Sequence, residues 1–180
     1  MREEELKQKI MDAVTELRRL FKLKPHIFLT EDDVRCVLYQ LLISKIGFMV
    51  CGDGQTMSPV HAEVRWYGRR RNLHKRSDLV VLEASDIRVE GGSFPLPSKG
   101  FGFNNFYAAI ELKLRRKGGD SDGTWLARLR KDADTLLSLR SEVDNAYDPL
   151  LILIAFDRKA DIASAIEQAH LEVEVVYESM

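Results

Sequence analysis

Apolar residues change their spacing several times along the chain, and each change marks an element. Over residues 2–22, Leu6, Ile10, Val14, Leu17 and Phe21 recur at three- and four-residue steps between charged residues, which predicts an amphipathic helix. Lys24-Pro25-His26 ends it, because proline cannot continue the helical hydrogen-bond ladder. Such a stripe packs on its own domain or, over about three heptads, serves as a homodimer seam. Thr30 stands as the N-cap of a second helix running to about Lys45, with Asp33 as a short capping-box partner. Val34, Val37, Leu38, Leu41 and Leu42 mark its inner face, and Cys36 reads as a small hydrophobe within that pattern.

From Pro59 the period falls to two. Val60, Ala62, Val64 and Trp66 alternate with His61, Glu63, Arg65 and Tyr67, which predicts a strand with two unlike faces. A basic turn follows (Arg69-Arg70-Arg71, then His74-Lys75-Arg76), leading into a short buried strand, Leu79-Val80-Val81-Leu82. Residues 83–105, with Gly91, Gly92, Pro95, Pro97, Gly100 and Gly102, read as a long loop. Residues 106–114 return to strand character, residues 118–123 form a turn, and residues 124–140 form a helix with Trp125, Leu126, Leu129, Ala133, Leu136 and Leu137 facing inwards. The apolar run over residues 150–156 is a central strand, closed by a short helix (160–169) and a last strand (171–177). Three strands followed by a helix and a buried strand predict the α/β class, a mixed sheet flanked by helices with an additional N-terminal helix. The expected layout is a single domain over 1–180, with the N-terminal helix in 1–25, a core in 30–156, and a C-terminal helix and strand in 157–180.

The 180 residues carry a formal charge of only -1, so any polyanion must be held by local clusters of Lys and Arg rather than by a global field. Cys36 and Cys51 form neither a disulfide framework nor a metal-ligand pattern, which suits a reducing compartment. No apolar run is long enough to span a bilayer, and the acidic Met1-Arg2-Glu3-Glu4-Glu5 start is no secretory signal. A cytoplasmic protein without a membrane partner is the expectation.

Glu111-Leu112-Lys113 is the most informative tripeptide. In a strand, Glu111 and Lys113 share one face while Ile110, Leu112 and Leu114 share the other. Charges emerging at the edge of a core are costly unless paired or bound to a metal. Asp78 stands directly before the Leu79–Leu82 run. If its strand is the antiparallel neighbour of the Glu111 strand, the two carboxylates meet, and a hard cation such as Mg2+ relieves their repulsion. Ion pairing on a solvated sheet face is the alternative for each residue taken alone.

Ser77-Asp78 followed by Glu111-Leu112-Lys113 resembles the signature of the PD-(D/E)xK nuclease superfamily, which includes restriction endonucleases and archaeal Holliday-junction resolvases. The resemblance spans about residues 30 to 156, with serine in place of the proline and a lengthened interval before Glu111. It implies a restriction-endonuclease-like sheet and a Mg2+- or Mn2+-dependent hydrolysis of phosphodiester bonds in DNA, or in RNA. Asp78 and Glu111 would hold the metal, and Lys113 would orient or help deprotonate the attacking water and offset charge in the transition state. Such nucleases often place a further acid on the first core helix. Among Glu31, Asp32 and Asp33, Glu31 projects nearest the apolar stripe and is chosen as a metal ligand, with Glu63 second.

Arg70, Arg71, Lys75 and Arg76 before Asp78, and Arg115 and Arg116 after Lys113, are expected to grip phosphates on either side of the cut. Tyr67, Trp66 and Phe103 are candidates for base stacking, with ordinary core or loop aromatics as the alternative. The alternative function is a module that keeps the nuclease fold and binds nucleic acid, or regulates a partner, without cutting.

Overall fold

The computed structural model describes residues 2–67, 73–87, 105–143 and 145–180. Helix α1 (Glu3–Leu23) follows the predicted stripe, and Leu6, Ile10, Val14, Leu17 and Phe21 are buried on it together with Ala13. They join one core cluster with α2 (Glu31–Ile46) and the sheet, so this face is consumed inside the chain rather than left as a seam between copies. Helix α2 opens on a complete capping box. Asp33 N donates to Thr30 Oγ1 at 3.2 Å, and Thr30 N donates to Asp33 Oδ2 at 2.8 Å. Val34, Leu38, Leu42 and Ile46 are its buried residues. Cys36, expected in that stripe, is exposed instead, and Cys51 is the buried cysteine.

A small hairpin, β1 (Met49–Val50) with β2 (Thr56–Met57), occupies a stretch that reads as loop. The main sheet contains β3 (Val60–Tyr67), β4 (Leu73–Leu82), β5 (Phe106–Arg115), β6 (Leu150–Asp157) and β7 (Glu174–Ser179), in the order β3-β4-β5-β6-β7. The β3/β4 and β4/β5 pairs are antiparallel, whereas β5/β6 and β6/β7 are parallel. Helices α1 and α2 cover one face. Helices α3 (Asp122–Glu142) and α4 (Ala163–Gln168) cover the other, so each face has its own core. Both faces of β6 are therefore dry, which explains its unbroken apolar run. Among the described residues, no helix is long and apolar enough to cross a membrane.

Strand β4 begins earlier than its apolar run implies. Lys75 and Arg76 lie in it because they pair with Trp66 and Arg65 on β3, and a cross-strand ladder fixes the backbone whatever the side-chain polarity. The alternation of β3 also breaks: Glu63 has a left-handed φ of 58°. Val60 packs in the α1/α2 core, but Val64 and Trp66 pack in the α3/α4 core, although all three are evenly spaced. Trp66 is thereby a core aromatic, 1% exposed, and is removed from base stacking. Of the long loop, residues 84–86 form a 3-10 turn lying so close to Gly52 that an added Cβ there would sit 2.2 Å from the Ser85 carbonyl oxygen. The rest of that loop beyond residue 87, up to residue 104, and the Arg69-Arg70-Arg71 turn lie outside the described residues.

Candidate functional site

The β4/β5 ladder pairs Leu79 with Ile110, and the next step would set Asp78 opposite Glu111. There the strands fork. Leu112 N donates instead to Asp78 Oδ2 at 2.8 Å, and Leu114 N donates to Glu31 Oε2 at 3.2 Å. Two carboxylates, one from β4 and one from α2, thus replace the acceptors that a continuing strand would offer to alternate N–H groups of β5. Behind the fork, Trp66 Nε1 donates to Ser77 Oγ at 2.9 Å, which satisfies a buried indole and accounts for a serine before Asp78.

A cavity of about 260 Å3 opens in the fork, lined by Glu31, Asp32, Arg35, Glu63, Arg76, Asp78, Glu111, Leu112 and Lys113. Five carboxyl groups there meet three cationic side chains. Arg35 sits among them, hydrogen-bonded to Glu63 and Asp32 and ion-paired to Asp78 at 3.5 Å. Arg76 pairs with the other Glu63 oxygen at 2.7 Å. Lys113 donates to the Leu112 carbonyl at 3.1 Å and lies 3.6 Å from Asp132 on α3 and 3.8 Å from Glu31 on α2. Side chains from both helical layers therefore converge at the sheet fork.

Burial, and then the neighbouring Asp78, pushes the Glu111 carboxyl up to about 9, against the pull of Lys113. Burial likewise raises Glu31 and Asp132 above ordinary carboxyl values. Burial opposes the Lys113 charge, yet Glu31, Asp132, Asp78 and Glu111 together keep its pKa above the usual lysine value. Burial and Asp78 thus favour the protonated form of Glu111, and the surrounding acids favour the charged form of Lys113.

The donor chemistry suits a hard divalent cation: two facing carboxyls, a backbone carbonyl between Glu111 and Lys113, and an excess of acids over bases. Among the described residues, no three His, Cys, Asp or Glu side chains are already gathered closely enough to hold an ion. The fit is that of two carboxylates on forking strands, with Arg35 spread across the acids beside them.

The structure separates the remaining sequence candidates. Arg76 lines the fork, and Arg116 is exposed beside a second cavity of about 420 Å3 that shares Glu31 and Lys113 with the first. Lys75 points to the opposite face, bonded to Ser138 and 3.4 Å from Glu142 of α3. Arg115, expected to grip phosphate, is 2% exposed and committed to Asp157 and Asp122. Its guanidinium has no free fork for a substrate. Arg70 and Arg71 lie outside the described residues. Arg35 and Asp132 are site residues that the sequence reading missed.

No family model matches the chain, and no curated protein does. Among solved structures it is similar to P. aeruginosa ATCC27853 NucC in its cAAA-bound form, at 12% sequence identity and a TM-score of 0.51, over 92% of this chain and 71% of that one. At that identity the likeness shows the fold alone: a restriction-endonuclease-like α/β arrangement, with a five-stranded mixed sheet flanked by helices and an added N-terminal helix.

Proposed function

We propose that this protein is a divalent-metal-dependent nuclease that hydrolyses phosphodiester bonds in DNA. The strand fork carries the proposal: Asp78 and Glu111 face each other where β4 leaves β5, and Lys113 follows on the same strand. Asp78 and Glu111, with the Leu112 carbonyl, would hold Mg2+ or Mn2+. A bound cation supplies a water of lowered pKa and positive charge against the phosphate oxygens.

Glu31 completes the set better than Glu63. Both Glu63 oxygens are taken by Arg35 and Arg76, whereas the contacts of Glu31 fall on Oε2. Lys113 acts as an ammonium among the carboxyl groups of Glu31, Asp132, Asp78 and Glu111, so it orients the water and offsets charge at phosphorus rather than removing a proton. Arg76 and Arg116 grip the flanking phosphates.

The test is cleavage of a panel of duplex, branched and single-stranded DNA and of RNA, with Mn2+, Mg2+ or EDTA. Cutting should require the metal and fall by about 100-fold in Lys113→Ala while substrate affinity changes little. The second reading, a nucleic-acid-binding module that does not cut, is favoured by one observation: Arg35 already neutralises part of the acid cluster. Salt-sensitive DNA binding with no cleavage in any metal would select it.

A further inference from the structure

Asp78 has two carboxylate oxygens and they are not equivalent. Oδ2 accepts the Leu112 N–H at 2.8 Å and is fixed by the β5 backbone. Oδ1 does not take part in that bond; Arg35 Nη1 lies 3.5 Å from it, and Glu111 stands beside the same carboxylate. The same guanidinium is hydrogen-bonded to Glu63 and, through Nη2, to Asp32. Its tie to Asp78 is the longest of the three and is an ion pair without a hydrogen bond. Arg35 and Asp78 are each about one-fifth exposed, so their contact is less screened by solvent than the one with the exposed Asp32.

We infer that Arg35 is the resident counter-cation of the fork and competes with the divalent cation for Asp78 Oδ1. This inference rests on the nuclease reading above and adds a device to it. Without a metal, Arg35 spans Asp32, Glu63 and Asp78 and keeps three acids from repelling one another. If Asp78 were taken up by a cation, Arg35 would lose that contact alone and stay anchored by Asp32 and Glu63, whose bonds to it do not involve Asp78. The guanidinium would then stay at the cavity wall, held there by Glu63 and Asp32. Arg76 is the internal comparison. It lines the same cavity and pairs with Glu63 at 2.7 Å, but no contact joins it to Asp78.

Mn2+ binding by calorimetry, on the full chain and without any substrate, tests the competition. Arg35→Gln should bind Mn2+ about tenfold more tightly than wild type, the order expected when a unit charge a few ångströms away is removed. Arg76→Gln removes the same charge without the Asp78 contact and should gain about threefold at most. A melting temperature in EDTA checks that each variant folds, and Arg35→Lys, which keeps the charge but loses the fork, provides a second variant expected to lie between wild type and Arg35→Gln. Equal or weaker Mn2+ binding by the Arg35 variants overturns the competition while leaving the metal site standing. An equal gain in Arg76→Gln also overturns it, since the effect would then be general electrostatics. Absence of Mn2+ binding in every protein overturns the metal-dependent reading and this inference with it.

Discussion

Towards its C-terminal end β5 buries Arg115 against Asp157, Asp122 and Trp125, and four residues earlier it buries Glu111 beside Asp78. The Arg115–Asp157 pair itself is closed, although the indole N–H of Trp125 beside it is buried without a hydrogen-bond partner among the described residues. Asp157 accepts from Arg115 Nε at 2.9 Å and from Arg115 Nη2, from the backbone N–H groups of Lys159 and Ala160, and from the Tyr177 hydroxyl. The Glu111 cluster is open. Glu111 is pushed towards its protonated form, and Asp132 Oδ2 is buried without a hydrogen-bond donor, 3.6 Å from Lys113. A buried charge that serves the fold has its own oxygens and nitrogens met; one that serves chemistry keeps an unmet demand that a ligand can fill.

The largest effect should come from closing the open cluster. Glu111→Gln should abolish metal-dependent cleavage, with a loss of about 100-fold or more if a bound cation supplies several kcal/mol to the transition state. It should also remove Mn2+ binding while the protein stays folded, and calorimetry beside a cleavage assay separates the two. Retained Mn2+ affinity would break the comparison at once.

Opening the closed cluster should act on stability instead. Arg115→Met leaves Asp157 buried and unpaired, and urea denaturation should report a loss of about 3–5 kcal/mol, independent of added metal. A smaller loss that metal restores would mean the two clusters are not separate.

A third contrast lies in pH. Glu111 has a folded-state pKa raised to about 9, so its contribution to stability is full below its ordinary value and is lost as pH rises towards 9. Burial moves Glu31 and Asp132 in the same direction. The melting temperature in EDTA should therefore fall between about pH 5 and pH 9, and Glu111→Gln should flatten that slope. A slope unchanged in the variant would assign the effect elsewhere.

The smallest effect concerns the support behind the fork. Ser77→Ala strands the buried Trp66 indole N–H and should cost about 1–2 kcal/mol by urea denaturation, with metal affinity nearly unchanged.

Much of this was legible in the chain. Regular apolar spacing announced α1, α2, α3 and β6, and Glu111-Leu112-Lys113 with Asp78 announced residues that the β4/β5 register does bring together. Two site residues were hidden in plain stripes. Asp132 lies among Trp125, Leu129, Leu136 and Leu139 at helical spacing, and an acid in the middle of an apolar stripe is itself a signal. Arg35 sits half-buried at the flank of the buried α2 stripe, next to Leu42 in helical projection, where a long cation is more often a solvated edge residue. Among the described basic residues, nearness in sequence is not nearness in space. Adjacent strand residues point to opposite faces, so Arg76 reaches the fork while Lys75 turns to α3. The flip at Glu63 could not be read at all, since a left-handed backbone at a glutamate leaves no mark in composition.

The way Asp78 and Glu31 occupy the Leu112 and Leu114 N–H groups has a practical consequence for inactive variants. Those donors belong to an interrupted strand edge, and bare strand edges recruit other chains. An alanine at position 78 would remove the acceptor along with the charge and invite intermolecular pairing or aggregation. Asparagine keeps a carbonyl oxygen for Leu112 and loses only the charge, so Asp78→Asn is the variant whose silence would report on chemistry rather than on solubility.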